Sequence, residues 1–156
     1  MSLRITKQIR VELELLNFLM KEFHDLVEKC RTQDPTTVEN VALAALLHSF
    51  YNGIENIFKR VSVEVDGSHP RGEFWHSELL KAMTQATASR PAVISEGLRN
   101  TLRDYLDFRH RFRHAYPFEL KWNRMAPLVL AAENTLKQLE VELEHFLSAI
   151  EPESEP

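Results

Sequence analysis

Three arginines and two histidines stand within six consecutive positions, Arg109-His110-Arg111-Phe112-Arg113-His114, and Ala115, Tyr116 and Pro117 follow them. Like charges packed this closely repel one another and weaken a helix. A fold tolerates that most readily when something negative arrives to relieve it. Phosphate fits best, because a guanidinium presents a planar fork of donors that matches it. Histidine adds the side chain that moves a proton near neutral pH without special tuning. Arginine with histidine, and no metal, is a kit for cutting RNA. The plain alternative is a solvated basic helix end.

Spacing constrains how such a site is built. On an unbroken helix Arg109 and His114 lie about 140° apart around the axis. Either the helix loosens before Pro117, or two copies of the segment face each other across a two-fold axis and share one cleft. Arg111, Arg113 and His110 then supply further grip on phosphate. Tyr116 either stacks on a base or packs at the helix end. A metal is disfavoured: His110 and His114 have the helical spacing for a shared ligand, but the alternating arginines repel a cation and no Glu lies between them. His69 and His76 with Asp66 offer a loop site that nothing in the sequence orients. Neither metal nor cofactor is expected.

A second segment, Leu47 to Phe58, combines core spacing (Phe50, Ile54, Ile57, Phe58) with a polar stripe of Tyr51, Asn52, Glu55 and Asn56. Buried polar groups need partners. Glu55, supported by Asn52, is therefore a candidate to hold an arginine or histidine of the basic segment, as a structural salt bridge or as part of a site.

The elements that must position these residues read as helices. Ile5, Ile9, Leu13, Leu16, Met20, Phe23 and Val27 make one apolar face of a helix from about residue 3 to 31. Thr37 is placed to start a second, to about residue 63, apolar nearly all round in its first half. A shorter helix is predicted over 75–87. A fourth, capped by Ser95, carries Leu98, Leu102, Tyr105, Leu106, Phe108 and Phe112 inward and ends in the arginine run. The last covers about 123–150, with Leu136, Leu139, Leu143, Phe146 and Ile150 close to a heptad seam and Pro127 read into its first turn. Long helices with short connections predict an all-α, antiparallel up-and-down bundle of four long helices and a short one.

Composition agrees. The 156 residues include four glycines and one cysteine, Cys30, and the net charge is −4. Residues 1–150 read as a single helical domain of a size that supports a hydrophobic core, with 151–156 as a disordered acidic tail. Cys30 continues the first apolar stripe and forms no intrachain disulfide, so a cytoplasmic setting is the expectation. No apolar run is long enough to span a bilayer. Between Arg99 and Arg124 seven basic side chains face three acidic ones, a net of +4, which leaves −8 on the rest of a −4 chain. A local basic patch on an acidic body suits a specific anionic ligand.

Arg109, four residues, His114, one residue, Tyr116 resembles the Arg-x4-His-x-Tyr signature of HepT-like toxins of the HEPN superfamily. The Tyr51–Phe58 segment is similar to their second helix. The resemblance implies a homodimer acting as a metal-independent endoribonuclease on transfer or messenger RNA, with a composite site at the dimer interface. It implies that Arg109 and His114 are the catalytic pair. It also implies a partner, a minimal nucleotidyltransferase antitoxin that adds AMP to Tyr116. The alternative is a non-catalytic substrate-binding subunit of a nucleotidyltransferase. On the nuclease reading, alanine at Arg109 or His114 removes cutting and leaves the fold intact. The extended 66–72 and 89–95 connections depart from the family pattern.

Overall fold

The computed structural model describes residues 2–151, with side chains from Arg4 onward. Five helices follow one another: α1 (Ser2–Lys29), α2 (Thr37–Glu64), α3 (Trp75–Ala82), α4 (Glu96–Phe112) and α5 (Trp122–Ile150). A 3₁₀ turn, Pro117–Glu119, precedes the last. Among the described residues there is no strand, only an isolated bridge between Thr87 and Arg90. The all-α class expected from the sequence is the observed one. The tail after Glu151 lies outside the described residues.

α2 is the central helix and packs against each of the other four. Its start shows a full capping box: Thr36 Oγ1 accepts from the Glu39 N–H, and the Glu39 carboxylate accepts from the Thr36 N–H. The cap is thus Thr36, one residue before the position expected, because Glu39 lies three residues after Thr36. α1 lays Ile5, Ile9, Leu13, Leu16, Met20 and Val27 into the core, and Cys30, just past its end, joins them. Gly53 lets this helix come close, since a Cβ there would lie 2.6 Å from Leu16 Cδ2.

α3 is five residues shorter than predicted. The segment after it bonds elsewhere, in part to Arg90, which is buried. Its guanidinium clasps Asp66 through two bonds of 2.6 and 2.9 Å and takes the carbonyls of Ala82, Gln85 and Pro91. Past Ala82 the Gln85 carbonyl bonds this guanidinium and the Met83 carbonyl accepts from the Val93 and Ile94 N–H groups, so neither continues the helix. The same clasp joins the two connections on either side of α3. α4 begins at Ser95, whose Oγ accepts from the Leu98 N–H as expected. In α5, Pro127 stands at the sixth helical position, a turn later than read from sequence. Its missing N–H leaves the Asn123 carbonyl without that helical donor. The seam Leu136, Leu139, Leu143 and Phe146 is buried. No helix among the described residues is long and apolar enough to cross a membrane.

Candidate functional site

The polar stripe of α2 emerges from the core opposite the end of α4. There Arg109 turns inward and is buried. Its Nη1 donates to Asn52 Oδ1 at 2.6 Å and its Nη2 to Glu55 Oε2 at 3.0 Å. The guanidinium carbon lies 5.0 Å from the centre of the Tyr51 ring, a cation–π contact away from water. Glu55 is itself 4% exposed, so the pair neutralises itself inside the protein. Breaking such a pair by removing one partner typically destabilises by about 3–5 kcal/mol. The expectation that alanine at Arg109 leaves the fold intact is therefore corrected: the side chain holds α4 to α2 and shields a buried carboxylate.

α3 adds a member that the sequence left unoriented. His76 Nδ1 lies 2.7 Å from Glu55 Oε2 and 2.8 Å from Arg109 Nη2. Its ring lies 3.5 Å, centre to centre, from Trp75 and meets the His110 ring edge-on at 5.1 Å. Partial desolvation pushes His110 below its ordinary 6.5, and the neighbouring His76, Arg109 and Arg113 push the same way against Glu55. His48, half-buried on α2 and tilted against Phe108, is also lowered, by burial first and then by Arg109, with the Phe112 carbonyl opposing. The sequence offers His76 only a loop metal site with His69 and Asp66. The missing signal is a contact across 33 residues, which no local pattern carries.

The basic run does not stay on one helix. α4 ends at Phe112, and the Ala115 N–H closes a tighter turn on the Phe112 carbonyl. Arg113 and His114 lie in that turn, both exposed. Tyr116 is extended, as Pro117 requires, and its N–H is capped by Glu119. Its ring is 66% exposed and stacks on Phe118, with centres 5.5 Å apart and planes 5° from parallel. Arg111 points elsewhere. It lines an open cleft of about 450 Å³ between α4 and α5 with Asp104, Asp107, Arg124 and Pro127. Within one chain, then, Asn52, Glu55, His76, Arg109 and His110 come together. His114 and Tyr116 lie on the exposed segment after α4 and make no hydrogen bond, ion pair or ring contact with that cluster among the described residues, and Arg111 lines a different cleft.

The family signal falls on these same elements. A model of the HepT-like family matches residues 42–150, which span most of α2 and all of α3 to α5. The chain belongs to the HepT-like family. That places it in the HEPN superfamily, among toxin-type proteins of toxin–antitoxin systems that are generally related to ribonucleases. No curated protein and no solved structure matches it. In this HepT-like chain His24, Glu28 and Glu133 bring ligand atoms within 4.8 Å of one another on α1 and α5. Arg31 bonds Glu28 and Lys137 pairs with Glu133 there, so cations of the protein already occupy those carboxylates.

Proposed function

We propose that this HepT-like protein is the ribonuclease toxin of a toxin–antitoxin pair, and that it cuts RNA without a metal by using the RNA's own 2′-hydroxyl. The observation that carries the reading is Arg109, pre-set on Asn52 and Glu55 against His76, whose ring meets His110, with His114 exposed on the turn that follows the same helix. A guanidinium has five N–H donors. Asn52 and Glu55 engage two, and the rest remain to meet a phosphate and the charge that builds on it. His114 takes or gives the proton. The 2′-oxygen attacks phosphorus, the bond to the 5′-oxygen breaks, and a 2′,3′-cyclic phosphate and a 5′-hydroxyl result. Arg113 supplies attraction for the RNA backbone at the same turn, and Arg111 extends it on the α5 side. Two copies related by a two-fold axis bring the exposed turns together and complete the site.

The test uses purified protein, total transfer RNA and EDTA. Cleavage is expected in EDTA, with His114→Ala slower by about 10²–10⁴-fold. No cleavage favours the second reading, a substrate-binding subunit of a nucleotidyltransferase. That reading draws on the buried, already paired state of Arg109.

Regulation follows from Tyr116, whose hydroxyl-bearing ring is exposed and follows Arg113 and His114 by three and two residues in the chain. AMP added there by a nucleotidyltransferase antitoxin places a phosphate against those cations, where it competes with RNA. Intact-mass measurement after co-expression is expected to show one AMP per modified chain, lost in Tyr116→Phe. A neutralised pair with unmodified Tyr116 rules this route out.

A further inference from the structure

The geometry points to His76 as a second proton-transfer residue of the site, oriented by Glu55 and working through its Nε2. The inference rests on the ribonuclease reading and adds to it the group that partners His114.

The argument begins with a triangle of atoms. Glu55 Oε2, His76 Nδ1 and Arg109 Nη2 are separated by 2.7, 2.8 and 3.0 Å. A carboxylate only accepts, and a guanidinium only donates. The 2.7 Å contact between Nδ1 and Oε2 therefore has a proton on Nδ1. Arg109 Nη2 and His76 Nδ1 then donate side by side to one oxygen, and the 2.8 Å between them is the separation of two donors that share it. With Nδ1 fixed as the donor, Nε2 is the atom left to act. It is a lone pair in the neutral ring and an N–H in the charged one. Among the described residues no hydrogen bond of the protein engages Nε2. A carboxylate on one nitrogen that fixes the tautomer and leaves the other nitrogen free is the arrangement by which histidines are readied for proton transfer.

The surroundings hold the ring in place. Trp75 covers it, and Lys59 of α2 in turn lies 4.7 Å from the centre of the Trp75 ring. His69 packs edge-on to Trp75 at 5.0 Å. From α4, His110 meets the His76 ring edge-on. The charged and titratable groups facing His76 are thus Glu55, Arg109 and His110, with Lys59 and His69 one ring away. The Arg90–Asp66 clasp fixes the connections on both sides of α3 and so sets where His76 stands.

Strand cleavage by a 2′-hydroxyl needs two proton movements. The 2′-O–H bond breaks as the 2′-O–P bond forms, and that proton goes to one imidazole. The P–O5′ bond breaks as the 5′-oxygen takes a proton from the other. One histidine begins neutral and the other charged; they end exchanged, and water resets them. His114 and His76 are the pair that this assignment uses.

The experiment compares His76→Asn with the wild type. Asparagine keeps an N–H donor near the place of Nδ1, so the bond to Glu55 survives while titration is lost. Cleavage of total transfer RNA in EDTA is expected to fall by about 10²–10³-fold, and one limb of the wild-type pH–rate profile is expected to disappear. A second arm uses an oligoribonucleotide carrying the linkage mapped with the wild type, its 5′-bridging oxygen replaced by sulfur. Sulfur leaves without a proton, so this substrate is expected to restore only one of His76→Asn and His114→Ala. Both limbs retained in His76→Asn, or rescue of both variants or of neither, overturns the inference. A wild type that cuts nothing overturns the ribonuclease reading itself, which separates the two failures.

Discussion

At the level of single residues, the centre is organised by charge that the interior can barely hold. Glu55 and Arg109 are both buried, and Asn52, Tyr51 and His76 surround them. Two nearby histidines, His48 and His110, are held below their ordinary 6.5 because burial and the Arg109 cation resist a further positive charge. In the unfolded chain that resistance is absent, so the unfolded state binds protons first as the pH falls. Stability therefore rises with pH through this range: it is fully present above the unfolded value of about 6.5 and declines below it until the folded histidines also protonate. Urea unfolding between about pH 7.5 and pH 5.5 is expected to show that decline. It is expected to be shallower in His48→Leu, which removes one of the two groups. An unchanged slope in that variant assigns the effect to other residues.

At the level of elements, α2 serves as the scaffold because it is apolar on nearly every side and still carries Asn52 and Glu55 on one stripe. Gly53, between those two residues, is what allows α1 to close over it. An alanine there has a better helix propensity by about 1 kcal/mol. Its Cβ, however, would meet Leu16 Cδ2 at 2.6 Å and Cγ at 3.1 Å. Leu16 is 2% exposed, so its side chain has to shift within the core to make room. Overpacking of this kind costs about 1–3 kcal/mol, so the clash outweighs the gain. Gly53→Ala is expected to lower the unfolding free energy by up to about 2 kcal/mol. Adding Leu16→Ala, which opens room for the new methyl, is expected to give a double variant less destabilised than the two single effects combined. Strict additivity in that cycle would mean that the helices move apart instead of repacking.

At the level of the whole molecule, what was legible in the sequence is what local periodicity and local charge encode. The apolar stripes gave five helices, and Ser95 gave the cap of α4. The polar stripe of α2 marked Glu55 as a partner for a cation of α4, which Arg109 proves to be. What stayed hidden were contacts between distant segments: His76 reaching Glu55 and Arg109, and Arg90 reaching back to Asp66 past the early end of α3. The same limit applies to the second copy of the dimer proposed above. Within one chain Arg109 is turned in toward α2 while His114 faces solvent on the following turn. If the active site is composite, the arginine of one copy serves the histidine of the other. Complementation between variants tests this. Arg109→Lys keeps a charge for Glu55 but loses the fork, and His114→Ala removes the imidazole; each alone is expected to be nearly inactive. Mixed at random, half of the dimers carry one of each, and each of those has one site with both groups intact. The mixture is then expected to recover about a quarter of the wild-type activity. A mixture as inactive as its parents places arginine and histidine in the same chain and confines the chemistry to one protomer.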